Sequence, residues 1–394
     1  MSVGDDVKSV LLGYLEEARI DLMVFKLLSI DSNEGVRRRA LFHLQQASEK
    51  LAKTHVYYVM RVVCTLIKRI PLDAQTMRNI KKYMRECNEV ITGNRETIIG
   101  FLKKKYSHNA GVLVGLEQEL RDFLKQKPDA VKHAVAQLIE KAVTSLLREL
   151  SEKEREKLGQ SVKNLFTQVR DFSIAVLDRY VEDYKSHNQS SHSYSEYDYG
   201  CVDDVLKRFR SMDGLLGEFD KLRGIVNNLI QQLPDPQKRN DCKDRFDAIL
   251  DLTRRFVMAF VYSSIIDLPL VNCMRNFEQT SRYCLAEDAS KCPPVDEESM
   301  KKYLEISRYL EKSMNNAEPL IQALDQLSKI LKNIVNGALI NIPIPEEYNK
   351  VFEQLIEQCI LPLLKIGPNE IINIIDALAS SFKNTTNLIK QQTP

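Results

Sequence analysis

The sequence predicts an all-α fold, and three observations support that prediction. Apolar residues recur at steps of three, four and seven through nearly the whole chain of 394 residues, a spacing that places them on one side of a helix. No segment alternates apolar and polar residues as a half-buried strand does. The 14 glycines and 13 prolines mostly lie between the long periodic segments, where they separate helices.

Boundary signals divide this pattern into successive helices. Pro71 breaks the second helix, and Gly93 lies where the third is expected to bend. Ser151 and Glu154 have the spacing of a capping box, and Pro128 suits a first helical turn. We expect helices over residues 5–29, 38–69, 73–106, 108–124, 128–150, 151–184, 202–233, 236–266, 269–285 and 297–315, and further helices that begin near Pro319, Glu346 and Pro368.

Length and composition favour two folded domains. Hydrophobic residues make up 44% of the chain and charged residues 28%, as in an ordinary folded protein. Residues 186–200 lack aliphatic side chains and are rich in Ser, His and Tyr, so they predict a linker or, alternatively, a tyrosine contact strip. We therefore expect a helical bundle over 1–187, a linker over 188–201 and a second all-helical domain over 202–394. A faint similarity of residues 321–333 to residues 42–54 leaves a diverged repeat open.

The segment 38–60 is the most informative part of the chain. One side of its predicted helix is small and apolar, and it carries Ala40, Leu44, Ala47, Leu51 and Tyr58. A neighbouring strip is polar and carries Gln46, Glu49, Lys50 and Lys53. Because Ala47 and Ala52 are small, a second helix can approach closely.

The sequence FHLQQASEKLAKT, residues 42–54, resembles the characteristic helix of the HEPN family, the helical "higher eukaryotes and prokaryotes nucleotide-binding" domains. The matching positions are Phe42, His43, Gln46, Ala47, Glu49, Lys50 and Lys53. A second element, YSHNAGVLVGLEQELRDFL at 106–124, resembles the family's Ser/Thr-His segment with its Leu-rich helix. The resemblance covers residues 5–187. It implies an up-and-down bundle that binds a nucleotide, RNA or protein partner, with Gln46, Glu49, Lys50, Lys53 and His108 as the candidate contacts.

The resemblance also raises the question of catalysis. RNA-cleaving members of the family carry an Arg, four to six residues and then a His, late in the bundle, and they usually act as dimers. Arg38 and His43 have this spacing but lie at the start of the family-like helix. Arg179 and His187 lie in about the right place, with one intervening residue too many. We therefore expect a binding module without catalysis, and a structural role for His43 is the simplest interpretation.

A basic stripe supplies a second candidate site. Arg78, Lys81, Lys82 and Arg85 follow helical spacing, and like charges at that spacing repel unless an anion lies nearby. Residues 1–190 hold 32 Lys and Arg against 25 Asp and Glu, a net charge of +7, and the remainder holds 24 against 29, or −5. The stripe predicts contact with RNA or phosphate, with a solvated face or the nearby Glu86 and Glu89 as the alternative.

Other classes of function find little support. No Gly-rich phosphate loop, paired metal carboxylates or nucleophile–His signature is present, so we expect no cofactor and no metal. The eight cysteines are scattered without a Cys-x-x-Cys pair, which favours free thiols, although Cys284 and Cys292 could pair under oxidation. An acidic N-terminus and a longest apolar stretch of only residues 256–266 predict a cytoplasmic protein with no membrane segment.

The expected function is therefore a HEPN-like binding module. One alternative is a metal-independent endoribonuclease of toxin–antitoxin or defence type, and another is a helical scaffold. The resemblance further implies a homodimer and a nucleotidyltransferase-type protein partner.

Overall fold

The computed structural model describes residues 3–67, 74–103, 118, 119, 122, 151–190, 200–262, 267–274, 277, 292–322, 359 and 368–391. Among these residues 92% are helical and none lies in a strand. The prediction of an all-α fold is thereby confirmed. His108 and the middle of the predicted linker, residues 191–199, lie outside the described residues, as do the helices expected near 128–150 and Glu346.

The described residues form eleven α-helices and one 3₁₀ turn. In chain order they are α1 (Val3–Ser29), α2 (Glu34–Ile67), α3 (Ala74–Ile80), the 3₁₀ turn (Lys81–Tyr83), α4 (Met84–Thr92), α5 (Arg95–Lys103), α6 (Glu152–Ser190), α7 (Gly200–Ile230), α8 (Pro236–Val261), α9 (Leu268–Met274), α10 (Glu297–Gln322) and α11 (Pro368–Gln391).

Helices α1 and α2 form an antiparallel hairpin, the first structural unit of the chain. The turn between them is held by its own side chains: Asp31 Oδ1 accepts from the Asn33 backbone N–H, and Asn33 Oδ1 accepts from that of Gly35, at 2.7 and 2.8 Å. Because the Asn33 side chain satisfies a free donor at the start of α2, it acts as a helix cap. Ala47 and Ala52 are fully buried, as the small-residue face predicts.

The chain from 74 to 103 departs from the single long helix that we expected. A 3₁₀ turn at Lys81–Tyr83 separates α3 from α4, and the backbone is extended at Gly93 (φ −62°, ψ 141°) between α4 and α5. The sequence anticipates the second break but not the first, because a single 3₁₀ turn hardly disturbs apolar spacing of three and four. An added Cβ at Gly93 would collide with the Glu89 carbonyl, so glycine suits this corner.

The two halves of the chain share one connected set of buried apolar residues. Helix α10 packs on α1 and α2, while α11 packs on α6 and α7. Ion pairs reinforce the first contact, since Arg19 binds Glu318 at 2.5 Å and Lys26 binds Glu311 at 2.7 Å. The predicted linker begins inside α6, and its last two residues belong to α7. Whether the chain divides into two domains there stays a prediction.

Helix ends test the boundary signals directly. At α6 the capping box is present: Ser151 N–H donates to Glu154 Oε2 at 2.9 Å, and Glu154 N–H donates to Ser151 Oγ at 3.4 Å. Pro236 and Pro368 begin helices as predicted. The helix start predicted near Pro319 is wrong, because that proline lies inside α10. Pro fixes φ near the helical value, so its presence alone does not separate a first turn from a helix interior.

The free-thiol prediction is also wrong for the described cysteines. Disulfides join Cys64 to Cys87, Cys201 to Cys273, and Cys242 to Cys359. Cys292 is disulfide-bonded as well, so none of the described cysteines carries a free thiol. The spacing of the cysteines along the sequence does not predict which of them pair, because the partners come together only when segments that are separate in sequence pack against each other.

Among the described helices, no stretch combines the length and the hydropathy that a membrane span requires.

Two neighbouring tyrosines of α2 are expected to respond oppositely to loss of the hydroxyl group. Tyr57 donates its hydroxyl to the Val90 carbonyl at 3.0 Å, whereas the buried Tyr58 hydroxyl has no hydrogen-bond partner among the described residues. Tyr57→Phe should cost about 1 kcal/mol of unfolding free energy, and Tyr58→Phe should gain roughly 1 kcal/mol. Urea denaturation at neutral pH measures both. Loss of stability in both variants would contradict the assignment.

Burial raises the pKa of Tyr58 above its usual value. The folded state therefore holds this proton more tightly than the unfolded state, so stability is intact below about pH 10 and falls as pH rises further. Tyr58→Phe should flatten part of that alkaline loss, which denaturation between pH 9 and pH 11 would reveal. An unchanged alkaline slope would contradict this origin.

Candidate functional site

The polar strip of α2 lies against polar residues of α1. Lys50 Nζ binds Asp21 Oδ2 at 2.7 Å and Glu17 Oε2 at 3.3 Å. His43 Nδ1 lies 2.9 Å from the other oxygen of Asp21. A single α1 carboxylate therefore holds two side chains of α2, one turn of helix on either side of Gln46 and Ala47.

The charged side chains of this strip are neutralised by contacts within the protein. Burial lowers the pKa of Lys50, but hydrogen bonds to Asp21 and Glu17 and their negative charges outweigh that effect, so the pKa lies above its usual value. Tyr14, on the same side of α1, has a raised pKa because of burial and then the Glu17 carboxylate. Lys50 is therefore a firmly charged cation whose charge is already neutralised.

The rest of the strip is paired within α2. Lys53 Nζ binds Glu49 Oε1 at 2.5 Å, and Gln45 Nε2 donates to Glu49 Oε2 at 3.0 Å. Gln46 Nε2 donates to Gln45 Oε1 at 2.7 Å. With the three carboxylates of Glu17, Asp21 and Glu49 against Lys50 and Lys53, the strip has a net charge of −1 when His43 is neutral. These contacts hold α1 and α2 together, and the net negative charge of the strip offers little attraction to a phosphate.

The catalytic candidates occupy separate positions. Arg38 binds Glu34 at 2.9 Å, and His43 binds Asp21. Five positions along one helix place their side chains about 140° apart, so the Arg38 and His43 side chains do not converge on one scissile group. Arg179 is buried in α6, and His187 belongs to the last turns of the same helix.

The basic stripe gives rise to a different kind of surface. An open groove of about 660 Å³ runs along α4 and the start of α5, lined by Lys81, Met84, Arg85, Asn88, Glu89, Thr92, Gly93, Asn94 and Thr97. Lys81 is exposed, and the Arg85 side chain is 86% exposed, with its Nε atom 3.3 Å from Glu89 Oε1. Exposed ion pairs of this kind contribute little, so the Arg85 guanidinium remains available to an anion.

Only part of the predicted basic stripe therefore lies on one common surface. Arg78 is exposed on α3, whereas Lys81 and Lys82 fall in the 3₁₀ turn, where successive residues rotate by about 120° rather than 100°. The groove brings Lys81 and Arg85 together and leaves Arg78 outside its lining.

The floor of the groove combines helix ends with amide and hydroxyl groups. Asn94 caps α5, because its Oδ1 accepts from the Thr97 backbone N–H at 3.0 Å and from the Thr97 hydroxyl at 2.9 Å. The break at Gly93 turns α5 away from α4 and opens the space between them. Two cations and one carboxylate, that of Glu89, thus line a groove with hydrogen-bonding groups, and cations with amide and hydroxyl donors are the groups that contact a sugar–phosphate chain.

Sequence reasoning missed a deeply buried polar pair. His55 Nδ1 lies 2.5 Å from Asp267 Oδ2, and each side chain is 3% exposed. The His55 ring also stacks near Tyr262, with centroids 6.3 Å apart. Asp267 is 212 residues away along the chain, and its only sequence signal was its position at the end of an apolar stretch.

Within the described part of the chain, no group of three or more His, Cys, Asp or Glu side chains is placed to hold a metal ion. Comparison with protein-family models, curated proteins and solved structures gives no match to this chain.

Proposed function

We propose that this chain is a HEPN-like, non-catalytic helical module that binds single-stranded RNA through the groove beside α4. The observation that supports this proposal is the position of Lys81 and Arg85, two exposed cations on one groove that is also lined by amide and hydroxyl groups and by the Glu89 carboxylate. Phosphate contacts supply most of the sequence-independent affinity of such proteins.

The contrast with the α2 strip supports this choice of surface. Lys50 and Lys53 already contact carboxylates at 2.5–3.3 Å, and their side chains are only 24% and 17% exposed. An anion that bound there would have to displace Asp21, Glu17 or Glu49 and would leave those carboxylates without cations. The strip that carries the HEPN resemblance is therefore assigned to the bundle's stability, and ligand contact is assigned to the groove.

Direct binding of RNA tests the proposal. Anisotropy of a labelled single-stranded RNA should rise with protein at low salt, and the logarithm of affinity should fall with the logarithm of salt concentration at a slope of roughly −1.5. Two phosphate contacts of about −0.7 each give that slope. Affinity that ignores salt, or no binding at 50 mM salt, would favour the scaffold alternative.

One observation favours an endoribonuclease as a second candidate. Asp21 holds the Nδ1 side of His43, which fixes the ring and leaves Nε2 as the atom for proton transfer. This candidate predicts cleavage of the same RNA in EDTA and its loss in His43→Ala. Intact RNA after long incubation with the wild-type protein would remove it.

A homodimer, also implied by the resemblance, has a matching surface on α1. Four exposed apolar side chains follow one face of the hairpin: Ile20, Met23, Leu27 and Ile30, which are 50%, 55%, 63% and 80% exposed. Their positions are symmetrical about residue 25, so antiparallel packing of two copies would place each of these side chains against an apolar side chain of the other copy. Light scattering should give a dimer mass that Leu27→Glu halves; a monomeric wild-type protein would exclude this interface.

The remaining expectations are a nucleotidyltransferase-type partner of a toxin–antitoxin pair and a cytoplasmic location. Affinity capture with a purified nucleotidyltransferase tests the first, and failure to co-purify would count against it. Cell fractionation tests the second, and the disulfides described above count against a reducing cytoplasm.

A further inference from the structure

We infer that the native state of this protein is its oxidised form, with disulfides that hold the helices together. Three disulfides are placed in the described structure, and they join cysteines that lie 23, 72 and 117 positions apart in sequence. Their Cα atoms lie 5.2, 5.7 and 5.5 Å apart, within the range that a disulfide spans without moving the backbone.

The location of the bonds indicates a structural role. Cys64, Cys87, Cys242 and Cys359 are at most 4% exposed, so a reductant in solution does not reach them in the folded protein. Thiols that act as redox sensors are, in contrast, accessible and electropositive. These bonds are therefore expected to persist until the protein unfolds.

The bonds cross the fold at different points. Cys64–Cys87 attaches α4 to α2, and Cys201–Cys273 attaches α7 to α9. Cys242–Cys359 closes a loop of 117 residues from α8. Each bond restricts the unfolded chain, and the restriction increases with the length of chain enclosed.

The first of these bonds also supports the proposed RNA groove. Cys87 is buried on the α2 side of α4, while Arg85, Asn88 and Glu89 of the same helix line the groove. A covalent bond at Cys87 thus holds the helix whose other side carries the groove. The support that this bond gives to an RNA groove rests on the proposed function, whereas the inference of an oxidised native state does not rest on it.

Formation of each bond has a definite redox balance. Two thiols lose two protons and two electrons to an oxidant of the disulfide class, which is reduced to a dithiol. Such bonds form and persist in oxidising compartments and in the cytoplasm of some hyperthermophiles. The inference is therefore that this chain matures where an oxidant of that class is available.

Peptide mapping of the purified chain tests the inference without any substitution. The protein is prepared without reductant, alkylated in denaturant and digested. The expected result is cross-linked peptides for 64–87, 201–273 and 242–359 and no alkylation at these positions. Alkylated Cys64 and Cys87, or different pairings, would overturn it.

Thermal denaturation gives a second measurement. Unfolding in the presence of a phosphine reductant should lower the midpoint by about 5–15 °C. In the double variant Cys64→Ser/Cys87→Ser the reductant should cause a smaller drop, because one of its targets is gone. Equal drops in both proteins would contradict the role of this bond. RNA affinity is measured in a separate experiment, so a failure to bind RNA would not change the conclusion drawn from peptide mapping and thermal denaturation.

Discussion

Replacing Asp267 by alanine is expected to lower the free energy of unfolding by about 3–5 kcal/mol. The substitution removes the carboxylate that contacts His55, and both side chains are 3% exposed. Without its partner, the buried His55 ring keeps the free-energy cost of desolvation and loses the hydrogen bond that offsets that cost. Because α2 and the start of α9 meet at this pair, loss of the contact should weaken the packing between the two halves. Urea denaturation followed by circular dichroism measures the loss.

Asp267→Asn is the matched control. Its amide oxygen has the position of one carboxylate oxygen and accepts a hydrogen bond from the His55 ring, so it should cost much less than the alanine variant. A loss below 1 kcal/mol in Asp267→Ala would mean that the pair contributes nothing to the core.

Reversing both positive charges of the groove, in Lys81→Glu/Arg85→Glu, should weaken RNA binding on the order of 10- to 100-fold at 50 mM salt. Both side chains are exposed, so the change should leave folding intact, and it replaces two phosphate contacts by repulsion. The salt slope should also approach zero, because each lost contact removes a released counterion. Titration of the same labelled RNA gives both quantities.

Lys153→Glu/Lys157→Glu provides a control with the same change in net charge. These two lysines are exposed on α6 at the same spacing of four residues, and they lie outside the groove. The control should retain affinity to within about threefold, as expected for a screened change of distant charge. Equal weakening by both variants would show that net charge alone governs binding.

Local chemistry allowed much of this architecture to be predicted. The capping box at Ser151, the glycine break at Gly93 and the small-residue face of α2 depend on residues close in sequence. Each of these signals depends on a single residue or on steps of three, four and seven residues along one helix, and residues three and four apart are neighbours on a helix surface.

The features that escaped prediction depend on contacts between distant residues. The α2 strip was identified, but its neutralising partners Glu17 and Asp21 lie on the preceding helix. Nothing in the local sequence pairs His55 with Asp267, or Cys242 with Cys359. Whether a cation is available to a ligand is likewise decided by tertiary packing, which the local sequence of the α2 strip does not show.

The central claim, that the groove rather than the α2 strip binds RNA, is tested most directly by one affinity comparison. Lys50→Gln/Lys53→Gln removes both positive charges of the strip but keeps a hydrogen-bond donor for Asp21 and for Glu49. Circular dichroism checks that this variant is folded. Binding of the same RNA is then measured for this variant and for Lys81→Glu/Arg85→Glu. The account predicts near wild-type affinity for the strip variant and a loss of at least about tenfold for the groove variant; the reverse order in two folded proteins would contradict it.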